Sequence, residues 1–319
     1  MTRRNWAVFG AMCVIWGVPY LLIRVAVRDL APGTLVCLRT GIGGLILVPF
    51  ALATGGFAPL VRRWRPLLAF AAIEMAAPWF LLSDAERHLS SSLTGLLIAA
   101  VPLMGVLVAR LTRSKEQFDA LQLVGLAVGL VGVGLLLGLD LGRVSAGPLV
   151  EILVVVICYA VGPVIMARSL ADLPSIPVAC AALLAVAVGY LPYAAFRPPT
   201  HVRANAWWSV LALAAVCTAL AFVLFFALIA AIGPARATVI TYVNPAVAVL
   251  CGVAFLGEEL TVGILVGFPL ILAGSVLGAR TGRKRQSILT EPLAVSNTAP
   301  TTPVPSSEMT HSTSTPSSG

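Results

Sequence analysis

The chain has 319 residues, of which 59% are hydrophobic and only 11% charged, and its mean hydropathy is +0.98. A soluble domain carries about 25% charge, so the composition argues against a water-soluble protein and places the chain in a membrane. Lys and Arg outnumber Asp and Glu by 21 to 13, an excess that membrane topology explains without invoking nucleic acid.

The N-terminus carries Arg3 and Arg4 and then an apolar run long enough to span a bilayer. A secretory signal would show a shorter core and a small-x-small cleavage site, so this run is read as a retained first helix. Segments of the roughly 17–25 apolar residues that cross hydrocarbon recur at 6–27, 33–53, 66–84, 91–110, 118–139, 147–168, 176–196, 206–231, 236–256 and 262–280. No water satisfies the backbone there, so each segment must be a helix. The fold class expected is an all-α integral membrane protein with ten transmembrane helices. Residues 282–319 are dominated by Ser, Thr and Pro. They are expected to be a disordered cytoplasmic tail, because they cannot bury enough apolar surface to fold.

Loop charge sets an expected orientation. With the N-terminus inside, the inner side carries 14 basic residues: Arg3, Arg4, Arg62, Arg63, Arg65, Arg110, Arg113, Lys115, Arg168, Arg236, Arg280, Arg283, Lys284 and Arg285. The outer side carries six, Arg24, Arg28, Arg87, Arg143, Arg197 and Arg203, while Arg39 lies within a span. The positive-inside rule therefore predicts a multi-pass plasma-membrane protein with both termini cytoplasmic.

One constant offset lays the chain on itself: Trp16 falls on Tyr159, Asp29 on Asp172, Pro49 on Pro192, Trp64 on Trp207, Pro102 on Pro245 and Glu116 on Glu259. The fifth span slips by one, with Gly125 on Gly267 and Gly132 on Gly274. Five spans is an odd number, so a second copy must enter the membrane inverted. Inverted repeats of this kind are typical of secondary transporters, with substrate bound near the midplane between the halves. The expected units are residues 1–142 and 143–281.

Four stretches carry a family likeness: "VIWGVPYLLIRVAV" in span 1, "LVCLRTGIGGLIL" in span 2, and residues 93–136 and 237–277 at the ends of the two units. In these the chain resembles the drug/metabolite transporter superfamily, and within it the EamA-type transporters, over about residues 5–280. The resemblance implies five plus five helices and export of a small metabolite, amino acid or drug, driven by a proton or substrate gradient. It does not name the substrate. Two departures stand out: Ser114 to Glu116 reads Ser-Lys-Glu where Gly257 to Glu259 reads Gly-Glu-Glu, and Glu74 is not part of the family pattern.

Glu74 lies about 12 Å into span 3 from the inner end and Arg39 about 10 Å into span 2 from the outer end, at 1.5 Å per residue. A charge at such depth costs roughly 3 kcal/mol or more, and persists only against protein, in a wet cavity or in its neutral form. Two readings stand side by side. In one, Glu74 and Arg39 form a structural pair locking spans 2 and 3. In the other, Glu74 binds a proton or a substrate amine and Arg39 anchors a substrate carboxylate.

Trp16, Tyr20, Trp79, Tyr159, Phe222 and Tyr242 are candidates for an aromatic-lined cavity, with core packing as the alternative. Asn244 is a further candidate substrate contact. Pro102 and Pro245 are candidate gating kinks, with static packing kinks as the alternative. Trp64, Trp207 and Trp208 read as interfacial belt residues. Small-x-x-x-small faces in spans 5 and 10 (Gly125/Gly129, Gly134/Gly138, Gly263/Gly267, Gly274/Gly278) read as scaffold or homodimer contact. Glu116, Glu258 and Glu259 read as solvated charges at helix starts.

Cys13, Cys37, Cys158, Cys180, Cys217 and Cys251 sit in apolar runs and read as packing residues, and His88, His201 and His311 are scattered, so no metal or cofactor is expected. There is no P-loop to couple ATP. The leading expectation is a secondary-active transporter working by alternating access, with a small-molecule substrate, the lipid bilayer and a coupling proton as its partners. The alternative is an integral membrane enzyme acting on a lipid-linked substrate. Its nearest support is the polar set Ser83, Asp84, Glu86, Arg87, His88 and Ser90 at the outer end of span 3, otherwise read as a solvated loop.

Overall fold

A computed structural model describes residues 2–111, 120–140, 145–199, 201–233, 237 and 239–278. Ser114, Lys115, Glu116 and residues 282–319 lie outside them, so the expectations placed on these residues have no structural counterpart. Among the described residues the regular structure is helical throughout. Six helices are long and apolar enough to cross a membrane: Arg3–Ala26, Pro32–Ala53, Ala58–Ala85, Ala146–Leu170, Ser175–Phe196 and Ala204–Ile232. Four shorter apolar helices occupy the remaining segments, Ser91–Gly105, Leu123–Leu136, Ile240–Leu256 and Val262–Leu277.

In detail the elements are α1 (Arg3–Gly17), α2 (Pro19–Ala26), α3 (Pro32–Ala53), α4 (Trp64–Phe70), α5 (Ala77–Ala85), α6 (Ser91–Ile98), α7 (Val101–Leu111) and α8 (Ala120–Asp140). They continue with α9 (Ala146–Ile165), α10 (Ser175–Phe196), α11 (Ala204–Ala214), α12 (Ala221–Ile232), α13 (Ile240–Leu256) and α14 (Val262–Gly278). The boundaries follow local chemistry. Thr2 caps α1 by accepting from the Asn5 N–H at 3.2 Å, and Ser90 caps α6 by accepting from the Leu93 N–H at 3.2 Å. Pro19 and Pro32 sit in the first turn of α2 and α3, where their missing N–H costs nothing.

Several spans are interrupted. The first breaks at Val18, before Pro19, and the fourth breaks at Ala99 and Ala100, before Pro102. Pro102 thus opens a second half-helix rather than kinking a continuous one. Pro245 lies inside the unbroken α13, so the two prolines have different local structures despite their matching positions.

The third and eighth spans each contain a π turn, Ala71–Ala76 and Ala215–Leu220. Trp64 falls on Trp207 in the repeat, and on that offset Ala71 falls one position before Ala215. Each π turn therefore occupies the same place in its repeat to within one position. A π turn inserts one residue, turns the following side chains to a new face, and recurs at functional sites.

Packing pairs equivalent helices of the two repeats: α3 with α10, α6 with α13, and α8 with α14. The α8–α14 contact is glycine-built. A Cβ at Gly274 would lie 2.4 Å from the Gly129 backbone nitrogen, and one at Gly132 2.7 Å from the Ile271 nitrogen. Gly129, Gly132, Gly267 and Gly274 are thus packed within the chain, while Gly134 faces open space. Leu130, Val131, Leu265 and Val266 remain exposed on these helices.

Candidate functional site

The second and third spans meet the second repeat in a buried polar cluster. Arg39 in α3 is 7% exposed. Its Nε donates to the Thr218 hydroxyl at 3.0 Å, and its guanidinium carbon lies 3.8 Å from the centre of the Trp79 ring. A desolvated cation–π contact of this kind contributes about 2 kcal/mol. The Trp79 indole is in turn directed at the Tyr159 hydroxyl. Tyr20 and Cys217 also stand within electrostatic reach of Arg39.

Glu74 occupies the π turn of span 3 and turns away from Arg39, toward α9. Its Oε2 is buried with no hydrogen-bond partner, against Gly162: a Cβ built there would lie 1.8 Å from that oxygen. Tyr159 and Cys158 are its polar neighbours. The paired reading of Glu74 with Arg39 therefore fails, because the inserted residue aims the carboxyl at α9 while Thr218 and Trp79 take the guanidinium. A side chain as large as a methyl at position 162 would fill the place of the carboxyl.

Each π turn is engaged by a polar side chain from the other repeat. Arg39 reaches Thr218 in the second; Tyr190 of α10 donates to the Ala76 carbonyl in the first at 3.0 Å. A slipped helical ladder leaves carbonyls needing donors, and in hydrocarbon these must come from neighbouring protein. Beside the first π turn a groove of about 340 Å³ opens between Leu68, Ala72, Val186 and Gly189.

The other candidates divide. Tyr20, Trp79 and Tyr159 join Arg39 and Glu74. Trp16 packs instead on Phe225 of α12, with ring centres 4.5 Å apart, and Phe222 stacks on Phe226. Asn244, with its amide turned to donate, bonds the carbonyls of Ile240 at 3.0 Å and Cys13 at 3.2 Å, tying α13 to α1. The Tyr242 hydroxyl donates to the Ser275 carbonyl at 3.2 Å. Trp64, Trp207 and Trp208 have exposed rings near helix starts.

The polar set at the end of span 3 divides: Arg87 and His88 are exposed, as a solvated loop requires, but two of its members are not. Ser83 and Glu86 are buried. The Ser83 hydroxyl donates to the Trp79 carbonyl at 2.6 Å, Asp84 pairs with Arg87 at 3.2 Å, and both Glu86 carboxyl oxygens lack partners. These groups do not converge on one another as a nucleophile and its base would. Sequence reasoning does not single out Glu151 in α9, yet one of its oxygens is buried without a partner, near Asp84 and His88.

Three cross-repeat contacts flank the cluster. Gly257, at φ 65°, turns the chain out of α13 and delivers Glu258 to the start of α6. There it accepts from the N–H groups of Ser91 (2.8 Å) and Ser92 (2.9 Å) and from both hydroxyls (3.0 and 2.5 Å). Glu258 thus sits half-buried at the positive end of a helix dipole, but that of α6 rather than its own. Asp29 accepts from Arg203 through Nη2 (2.8 Å), Nε (2.9 and 3.1 Å) and the backbone N–H (3.0 Å). Those bonds hold the Asp29 carboxyl below the usual carboxylate range. Asp172, the repeat mate of Asp29, meets Arg63 in one contact of 3.4 Å.

Comparison with known proteins agrees with this architecture. The EamA-like transporter family matches the chain twice, over residues 5–138 and 148–279. The "Uncharacterized inner membrane transporter YedA" of Escherichia coli (strain K12) is 31% identical over 272 residues, covering 81% of this chain and 86% of that one. The "Uncharacterized transporter YvbV" of Bacillus subtilis (strain 168) is 24% identical over 280 residues, covering 86% and 91% respectively. A solved crystal structure superposes with a TM-score of 0.63 at 20% identity, over 87% of this chain and 96% of that chain. At that identity the likeness speaks for the fold.

Proposed function

Since the chain belongs to the EamA-like transporter family and is a multi-pass membrane transporter, we propose that it is a secondary-active exporter of small metabolites, amino acids or drugs. It works by alternating access between two inverted five-helix halves, with ten crossings and both termini in the cytoplasm. The observation that carries this reading is the buried cluster of Arg39, Trp79, Tyr159 and Glu74 between the halves. It holds a preset cation for a substrate carboxylate and a carboxyl without a partner for a proton or amine.

The ten-crossing topology is supported by the cross-repeat contacts. Asp29 with Arg203, Asp172 with Arg63, and Glu258 with Ser91 each join loops separated by an even number of apolar segments, as they must if every segment crosses. A homodimer through spans 5 and 10 would use their exposed faces, which carry Leu130, Val131, Leu265 and Val266, since Gly129, Gly132, Gly267 and Gly274 are already packed within the chain.

The test is efflux from metabolite-loaded proteoliposomes with and without a pH gradient, for wild type and Glu74→Gln. Wild type should export faster with the gradient, and Glu74→Gln should lose that dependence. An unchanged pH profile in the variant would remove Glu74 from proton coupling.

A further inference from the structure

A second acid is buried beyond the cluster. Glu86 lies one residue past α5, is 0% exposed, and neither carboxyl oxygen has a hydrogen-bond partner. The charged and titratable groups facing it come from three other elements: Arg24 and Tyr20 of α2, Arg39 of α3, and Glu258 after α13. Arg24 donates to the backbone carbonyl of Glu86, Arg39 is held by Thr218 and Trp79, and Glu258 is itself an acid bonded to Ser91 and Ser92. None of these side chains donates to the Glu86 carboxyl, the Arg24 backbone stands close to it without satisfying either oxygen, and burying an unpaired carboxylate is costly.

The Ser91 and Ser92 hydroxyls donate to Glu258 rather than to Glu86. Among the described residues no three His, Cys, Asp or Glu side chains gather into a metal site. The position also has a direction. Tyr20 is within electrostatic reach of Glu86 on one side and of Arg39 and Tyr159 on the other, and Tyr159 neighbours Glu74. Tyr20 and Tyr159 thus link the two unpartnered acids as electrostatic neighbours. The acids are twelve residues apart on span 3 (86 − 74), about 18 Å at 1.5 Å per residue.

We propose that Glu86 is a second proton-binding site, the outer counterpart of Glu74, which takes a proton from the outer water when that face opens and holds it while the face is shut. The step forms one carboxyl O–H bond at the expense of one in hydronium, and no electrons change hands. The proposal rests on the secondary-active reading and names the proton as its coupling ion.

The test uses protons as the probe. Infrared difference spectra of the full chain in lipid nanodiscs are recorded across a pH titration for wild type, Glu86→Gln, Glu86→Asp and Glu74→Gln. At neutral pH, wild type should show a protonated-carboxyl C=O band that Glu86→Gln removes and Glu86→Asp shifts. Sodium ions at fixed pH should leave that band unchanged. Should Glu86→Gln fail to fold, the shift in Glu86→Asp decides the matter alone. A wild-type spectrum with no band assignable to position 86, or a band abolished by sodium, overturns the site whatever transport does. An intact band together with gradient-independent efflux overturns the coupling on which the proposal rests and leaves the site standing.

Discussion

Gly162→Ala separates the fold from the chemistry of Glu74. The new Cβ would lie 1.8 Å from Glu74 Oε2, where ordinary contact begins at 3.4 Å, so the oxygen must retreat by well over an ångström. The atom displaced is the end of a flexible side chain, and an off-rotamer Glu costs about 0.5–1.5 kcal/mol. Alanine in place of a helical glycine returns about 1 kcal/mol. These effects nearly cancel, so the unfolding midpoint in detergent should move little. Glu74 Oε2 has no partner within the protein, so the bond at stake is the one a bound substrate amine or proton carrier makes to the carboxyl in its original place, and a carboxyl moved that far leaves its range. Losing one charge-assisted bond costs about 1.5–3 kcal/mol, which corresponds to a roughly 10- to 150-fold drop in gradient-driven efflux. The same substitution made on a Glu74→Ala background has no carboxyl to displace, and should add no further loss. Equal losses on both backgrounds, or no loss on the first, would sink the argument that the Glu74 carboxyl rests on Gly162 and works from there.

Three other outcomes follow from the geometry. The Asp29 carboxyl is held below its usual range by Arg203, so the contact is present above the ordinary Asp pKa of about 3.9 and is lost as pH falls through the lower folded value. Amide exchange at Arg203, whose N–H donates to Asp29, should therefore stay protected down to that ordinary pKa and be unprotected at all pH in Asp29→Ala; equal protection in the variant would count against the contact. Glu258→Ala removes the acceptor for four bonds at the start of α6 and should lower stability by about 2–3 kcal/mol, read as a drop in thermal midpoint. Gly274→Ala sets a Cβ 2.4 Å from the Gly129 backbone nitrogen, so backbone itself must part at the α8–α14 contact, and it should cost about 1–3 kcal/mol. Gly134→Ala, with nothing within 4 Å, should be neutral or stabilising by up to about 1 kcal/mol; matching effects of the two would disprove the packing.

Much of the fold is legible in the sequence because hydrocarbon imposes a length and a helix on every apolar segment. The apolar runs are recovered as helices, and the repeat read from Asp29 and Asp172 reappears as two ion pairs that join the halves. The site is legible only in part. A buried Glu and a buried Arg can be read as costly, but the direction of their side chains depends on a single inserted residue, and hydropathy does not register the π turns at Ala71–Ala76 and Ala215–Leu220. Thr218 carries no signal because one threonine in an apolar run means nothing until Arg39 is laid against it. Glu86 misleads for a related reason. It follows Asp84 and precedes Arg87 and His88, and such a cluster resembles a wet loop until α2 and Glu258 are seen to close over it.

The two ion pairs carry one more consequence. They are comparable under the repeat, with Asp29 falling on Asp172 and the arginines three positions out of register, each pair joining the loop after the first span of one half to the start of the third span of the other. Yet Asp29 and Arg203 meet through four bonds of 2.8–3.1 Å, while Asp172 and Arg63 share one of 3.4 Å between largely exposed side chains. On the orientation proposed above, the tight pair lies on the outer face and the loose one on the inner. Inverted repeats reach their two access states by exchanging the conformations of the halves, so the opposite state should carry a tight Asp172–Arg63 pair and a loose Asp29–Arg203 pair. Cysteine cross-linking at positions 29 and 203 should therefore trap one access state, and at 63 and 172 the other. If both cross-links trapped the same state, judged by which side a membrane-impermeant thiol reagent can enter, the halves would not be exchanging conformations.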